Sequence, residues 1–180
     1  MVLDIDNTLI LIVDIQEKLL NAVFNKEIVE KKSEIVAKAS SILEIPVVVS
    51  EQYPKGLGET VSEIKNNLVN ASFFEKTTFN ALEVSELCNE IKNSGKKQVV
   101  VVGIETHICV HQTVDALIKS GFDVVVLKDV CGSREEVEYV SALEHMKDAG
   151  AKIKTTEMFL FELLKSAKHP KFKDIQSLIK

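Results

Sequence analysis

Residues 97–121 read KQVVVVGIETHICVHQTVDALIKSG, and this stretch decides the fold. Val99, Val100, Val101 and Val102 form an unbroken β-branched run. Such a run suits a strand covered on both faces, as in a parallel α/β sheet. Gly103 ends the run, and Thr106 is placed to cap the helix that follows. Val110, Val114, Leu117 and Ile118 recur at helical spacing, and Gly121 suits the stop. Cys109 is thereby expected in the first helical turn after a central strand, where open α/β sheets bind ligands. Free amides and the positive end of the helix dipole favour a thiolate there, which makes Cys109 the leading nucleophile.

Working outward, the same rhythm repeats along the chain. Residues 9–13 form a first strand that delivers Asp14 at its carboxyl end. Residues 45–49 form a second, running into the loop SEQYPKGLGET, where Glu51, Gln52 and Tyr53 are placed to face a substrate or to stand in solvent. Residues 71–74 form a short third, followed by Lys76. Residues 123–127 and 151–155 complete the set, the former leading to Asp129, Cys131, Ser133 and Arg134. Between them lie a short helix at 16–24, a core-facing helix at 26–43, a weak one at 61–68 and another at 82–94. A further helix is marked by Val137, Val140, Leu143 and Met146, and the next by Phe159, Leu160, Leu163 and Leu164. Phe172, Ile175, Leu178 and Ile179 make a last amphipathic segment that covers the domain or a partner subunit. Six β–α repeats predict a single-domain three-layer α/β/α fold, Rossmann-like, with a six-stranded parallel sheet over residues 1–180.

The 180 residues suffice for one domain with a sizeable core. A net charge of −5 with no basic run gives no footing for nucleic acid. The apolar stretch LILIV is too short to span a bilayer and lacks the basic flank of a signal peptide, so no membrane partner and a cytoplasmic location are expected. Three separated cysteines with no CxxC pair argue against a disulfide framework and a thiolate zinc site. One reactive thiol, Cys109, with Cys88 and Cys131 structural, is the economical reading. Charge and the apolar tail suggest a homo-oligomer.

Near the start, LDIDNTLI matches the DxDxT signature of haloacid-dehalogenase-type phosphatases. That chemistry needs both carboxylates at the carboxyl end of a buried strand, and only three residues precede Asp4. A solvated lead-in is expected instead.

Asp14, Lys76 and Cys109 thus leave the first, third and fourth strands. If strand order brings those ends together, they make a nucleophilic hydrolase site. Cys109 would attack an acyl or amide carbon, Lys76 would steady the thiolate, and Asp14 would shuttle the proton. Backbone N–H groups in the turn before Cys109 would hold the oxyanion.

VDIQ around Asp14, FEKTTFNA around Lys76 and VVVGIETHICVHQT around Cys109 resemble the isochorismatase-like cysteine hydrolases, a superfamily that includes nicotinamidases and N-carbamoylsarcosine amidohydrolase. SEQYPKGLGET and the tail SAKHPKFKDIQSLIK resemble the branch called isochorismatase domain-containing proteins. The resemblance implies an Asp14–Lys76–Cys109 triad, a covalent thioester on a small amide or related substrate, and no cofactor. It also implies a cis peptide at Ile104–Glu105 and an oxyanion hole from the N–H groups of Glu105 and Cys109. Gln16, Tyr53, Phe79, His107 and Arg134 are the residues expected to line a small-molecule pocket.

Two departures narrow the chemistry. Where nicotinamidases carry a DxH metal motif, this chain reads Ser50–Glu51–Gln52, so no metal is expected. True isochorismatases lack the cysteine that this chain has. His107, two residues before Cys109, does not share its helical face and is read as lining or structural. Two rivals stand beside the hydrolase. One is a binding or scaffold protein that keeps the fold while its cysteine is inert; the other is the phosphatase suggested by Asp4 and Asp6.

Overall fold

Strands form where valine, isoleucine and leucine run without a polar break, because such residues pack on both faces of a pleated surface. The computed structural model describes residues 2–180. Among these, the strands are β1 (Thr8–Val13), β2 (Val47–Gln52), β3 (Ala71–Lys76), β4 (Gln98–Ile104), β5 (Asp123–Gly132) and β6 (Lys152–Lys154). They form one sheet in the order β3-β2-β1-β4-β5-β6, with every neighbouring pair parallel. All of β1 and β4 is buried. This is the six-stranded parallel α/β architecture expected from the sequence.

The helices are α1 (Glu17–Leu20), α2 (Lys26–Ile42), α3 (Pro54–Leu57), α4 (Ser62–Lys65), α5 (Ser85–Asn93), α6 (His111–Lys119), α7 (Glu136–Asp148), α8 (Thr156–Leu164) and α9 (Phe172–Leu178). They divide between the faces as the strand alternation requires. Ile10, Ile12, Val100 and Val102 pack with Val36, Phe159, Leu163 and Ile175 of α2, α8 and α9. Leu9, Leu11, Val99 and Val101 pack with Leu87, Val114, Leu117 and Met146 of α5, α6 and α7. The tail helix α9 therefore covers its own domain, burying Ile175 completely. No helix among the described residues is long and apolar enough to cross a membrane.

Four differences from the sequence reading concern the strands, the lead-in and α7. First, β2 and β3 run on through Glu51–Gln52 and Lys76, so these polar residues stand on strand ends rather than in loops. Second, β5 continues to Gly132, because a register shift between Val101 and Gly103 lets it resume pairing after Lys128 and Asp129. Third, the lead-in is packed rather than solvated. Leu3 is fully buried, Asp4 pairs with Lys165 at 2.7 Å, and the Asp4 N–H donates to Gln98. Asp4 and Asp6 precede β1, at the end of the sheet opposite Asp14. Fourth, the stripe on α7 faces the core only in part. Met146 is buried, whereas Val137 and Val140 are exposed.

Candidate active site

The strand order places β1 and β4 side by side at the point where the topology reverses, and clefts open at the carboxyl ends there. Asp14 is the first residue after β1 and holds a left-handed φ of 53°. A non-glycine residue seldom adopts that region unless its surroundings hold it. Its N–H donates to the Ser50 carbonyl, and its own carbonyl accepts from the Gln16 N–H. The carboxylate accepts a hydrogen bond of 2.7 Å from the Ser50 hydroxyl through Oδ1. Its Oδ2 lies 2.6 Å from Lys76 Nζ, and neither side chain has any exposed surface.

Lys76 reaches this position from the end of β3, two strands away. Its ammonium also donates to Gln52 Oε1 at 2.5 Å and to the carbonyls of Thr78 and Phe79 at 3.1 and 3.4 Å. A buried ammonium needs such a shell of oxygens to offset its lost hydration.

Cys109 comes to the same place from the other side. After β4, residues Thr106–Val110 form one π-helical turn before α6 begins. The Glu105 carbonyl accepts from the N–H groups of Ile108 and Val110, which flank Cys109. Thr106 does not cap this helix as the sequence suggests; its hydroxyl donates to the Gly132 carbonyl on β5 instead. Gly103 makes the approach possible: a Cβ there would sit 2.2 Å from the Val13 carbonyl oxygen. The Ile104–Glu105 peptide is cis.

The thiol of Cys109 is nearly buried and interacts with both Asp14 and Lys76. Burial first, and the Asp14 charge second, push it up to about 12, while Lys76 pulls the other way. This corrects the expectation of a resting thiolate. Desolvation also raises the Asp14 carboxyl, against the pull of Lys76, Ser50 and Cys109. Two acids raised together in one dry site beside a fixed cation are arranged to share one proton.

The structure brings Asp14, Lys76 and Cys109 together; the five residues read as pocket lining separate. Gln16 is fully buried, and its amide is engaged with the backbone of Gln52 and Gly58, so it pins the loop rather than facing a ligand. Tyr53 is exposed beside Lys76, Thr77 and Thr78 on an open depression of about 310 Å³. The Phe79 ring is exposed while its carbonyl serves Lys76. His107 Nδ1 lies 3.0 Å from the Ser133 hydroxyl. Arg134 Nε donates to Glu105 Oε1 at 2.7 Å with the arginine side chain largely exposed. Ser50 and Gln52, which hold the carboxylate and the ammonium, carry no sequence motif of their own. Their signal is positional: Ser50 is in register with Val13, and Gln52 with Lys76.

Glu51, in the place of the nicotinamidase metal motif, accepts from both the N–H and the hydroxyl of Thr60. Among the described residues no cluster of three or more His, Cys, Asp or Glu side chains is gathered as metal ligands would be.

Comparison with known proteins bears on the fold and the family. The isochorismatase domain model matches residues 8–158. Isochorismatase family protein 1A of Dictyostelium discoideum is 38% identical over 96% of this chain and 86% of its own. The structure of MAR1 ribonuclease from Caenorhabditis elegans superposes with a TM-score of 0.94 at 35% identity, covering 99% of this chain and 92% of that one. The YcaC gene product of Escherichia coli, an octameric hydrolase of unknown specificity, gives 0.90 at 25% identity, over 99% and 95% of the two chains. Sheet order and likeness converge on one conclusion: the chain belongs to the isochorismatase family and has its hydrolase fold.

Proposed function

We propose that this protein is a cysteine hydrolase acting on a small amide or related acyl substrate, with Asp14, Lys76 and Cys109 as its triad. The observation that carries the reading is the dry convergence of these three groups from three different strands, Asp14 and Lys76 only 2.6 Å apart. The resting site holds one cation, one negative charge and one labile proton. Moving the proton from Cys109 to Asp14 leaves that total unchanged, so a thiolate forms without releasing charge into a low-dielectric site.

The thiolate sulfur then attacks the substrate carbonyl carbon, and the C=O electrons move to oxygen. The N–H groups of Glu105 and Cys109 receive that oxyanion, each worth about 3 kcal/mol in the transition state. Asp14 gives its proton to the leaving nitrogen as the C–N bond breaks, leaving a thioester. Asp14 next takes a proton from water, whose oxygen attacks the thioester carbon. The C–S bond breaks, the acid departs, and Cys109 recovers its proton. The Lys76 ammonium holds the negative charge in place. The whole of residues 1–180 acts as one hydrolase unit in this reading, with a cytoplasmic setting and no cofactor.

A panel of small carboxamides tests it, run on wild type and Cys109→Ala, with intact mass used to trap the acyl adduct. Turnover and an adduct in wild type alone support the mechanism. Equal turnover in both proteins overturns it, and an inert cysteine favours a binding role. One observation favours a second reading: the Caenorhabditis elegans relative is named a ribonuclease. The net charge of −5 gives a polyanion little attraction here. RNA belongs in the same panel, and cleavage that survives Cys109→Ala would favour it.

A further inference from the structure

Helix α7 carries an outer stripe that the core uses only in part: Leu143 packs against the core on one side, while Val140 is exposed. At about 100° per residue, Glu136, Val140, Leu143 and Lys147 fall along one side of the helix. Ala142 and Met146 turn inward and are buried, while Val137 and Val140 are 69% and 43% exposed. Beside this stripe runs an open groove of about 690 Å³ between α7, the edge strand β6 and the start of α8. Leu143, Ile153 and Met158 give it apolar walls, and Lys128, Lys147, Lys152 and Lys154 stand around it against one carboxylate, Glu144. An apolar groove set among lysines selects an acidic, partly apolar surface.

The chain itself supplies that surface. Glu136 stands at the start of α7 with Val137 and Val140 behind it, and Lys147 closes the same helix eleven residues later (136 to 147). The stripe therefore runs from acidic through apolar to basic over about 16 Å. A surface with that pattern is complementary to itself when turned end for end, which is the condition for a two-fold contact. We propose that two copies of this chain associate through this face, with α7 antiparallel to α7 of the partner subunit. Glu136 of each copy meets Lys147 of the other at both ends, and Val140 packs against Leu143 at the centre. Met158 and the groove beside β6 receive the flanking surface. The octameric Escherichia coli relative is consistent with association of copies. The contact on α7 is independent of the triad chemistry.

Charge reversal tests it. Lys147→Glu and Glu136→Lys each turn both end pairs repulsive, and each is expected to weaken self-association at least about tenfold at low salt. The double reversal restores opposite charges and should restore assembly. So should mixing the two single variants, whose charges complement each other only across the interface. Val140→Glu, at the centre, should abolish the contact at any salt concentration. Sedimentation velocity over a concentration series reads wild type and the five variant samples, with thermal midpoints to confirm that each is folded. Wild type that stays monomeric at its highest soluble concentration overturns the proposal. So does an assembly that persists unchanged in Val140→Glu, which would place the contact on another face. Weakening by both single reversals without recovery in the double or mixed samples also overturns the pairing.

Discussion

Replacing Lys76 by methionine keeps most of the side-chain volume and removes the ammonium. Asp14 and Lys76 have no exposed side-chain surface and lie 2.6 Å apart, so the variant leaves a buried carboxylate with the Ser50 hydroxyl still donating to it. Removing one partner of a buried ion pair costs about 3–5 kcal/mol. The variant can reduce that cost by binding a proton on Asp14, whose carboxyl is already raised by desolvation and now lacks the opposing pull of Lys76. A raised folded-state value means that the native state holds a proton which the unfolded chain has released. Stability contributed by that proton is complete below the ordinary value of 3.8 and is lost as pH rises toward the folded-state value. The deficit should therefore be about 3–5 kcal/mol near neutral pH and above, and shrink on acidification. Urea unfolding followed by circular dichroism on wild type, Lys76→Met, Asp14→Asn and the double variant reads both effects. The double variant should recover most of the loss, because no unpaired charge remains buried. A deficit below about 1 kcal/mol, or one equal at acid and neutral pH, would refute the reasoning.

The Asp14 charge helps hold the Cys109 thiol up at about 12, so Asp14→Asn should make Cys109 alkylate faster near neutral pH while turnover disappears. Peptide mass spectrometry with Cys131 as the buried control reads the rate, and an unchanged or slower rate contradicts the charge assignment. Gln52→Met removes an oxygen from the Lys76 ammonium and should cost about 1–3 kcal/mol together with a fall in kcat. Thermal melts and steady-state kinetics check the pair of effects. Gly103→Ala drives a Cβ into the Val13 carbonyl at a φ of +148° and should cost about 3 kcal/mol or more. A melt within a degree or two of wild type would show that β1 and β4 can part there. Arg134→Ala should leave stability within about 1 kcal/mol, because its pair with Glu105 is mostly solvated on the arginine side.

The sheet was legible because a parallel core writes itself as runs such as Val99–Val102, and the candidate residues Asp14, Lys76 and Cys109 could be singled out because each follows a strand. What stayed hidden has physical reasons. Glu51, Gln52 and Lys76 look like loop residues, since charge usually ends a strand; here the strand ends are covered and the polar groups satisfy one another. The π turn under Cys109 depends on the Glu105 carbonyl accepting from Val110, a bond that no residue pattern announces. Burial decides the protonation of Cys109, and position at a helix start does not reveal how dry a site is. Gln16 sits two residues from Asp14 on the same lead, yet long-range bonds to the 52–58 loop, invisible in local sequence, set its role. Periodicity on α7 marks an apolar stripe without saying whether it faces the core or the outside.

The placement of β1 at the middle of the sheet bears on how the chain is made. As synthesis proceeds, β1, β2 and β3 can pair as soon as they emerge, giving half a sheet that already contains Asp14 and Lys76. The other side of β1 must wait for β4, since Thr8 pairs with Gln98, 90 residues later. During that wait the half-sheet presents an apolar open edge, the kind of surface that chaperones recognise and that aggregates when left uncovered. The strand that closes this edge is followed five residues later by Cys109. The thiol thus reaches its carboxylate and ammonium only with the segment that completes the centre of the sheet, and an interrupted chain carries the ion pair without the thiol.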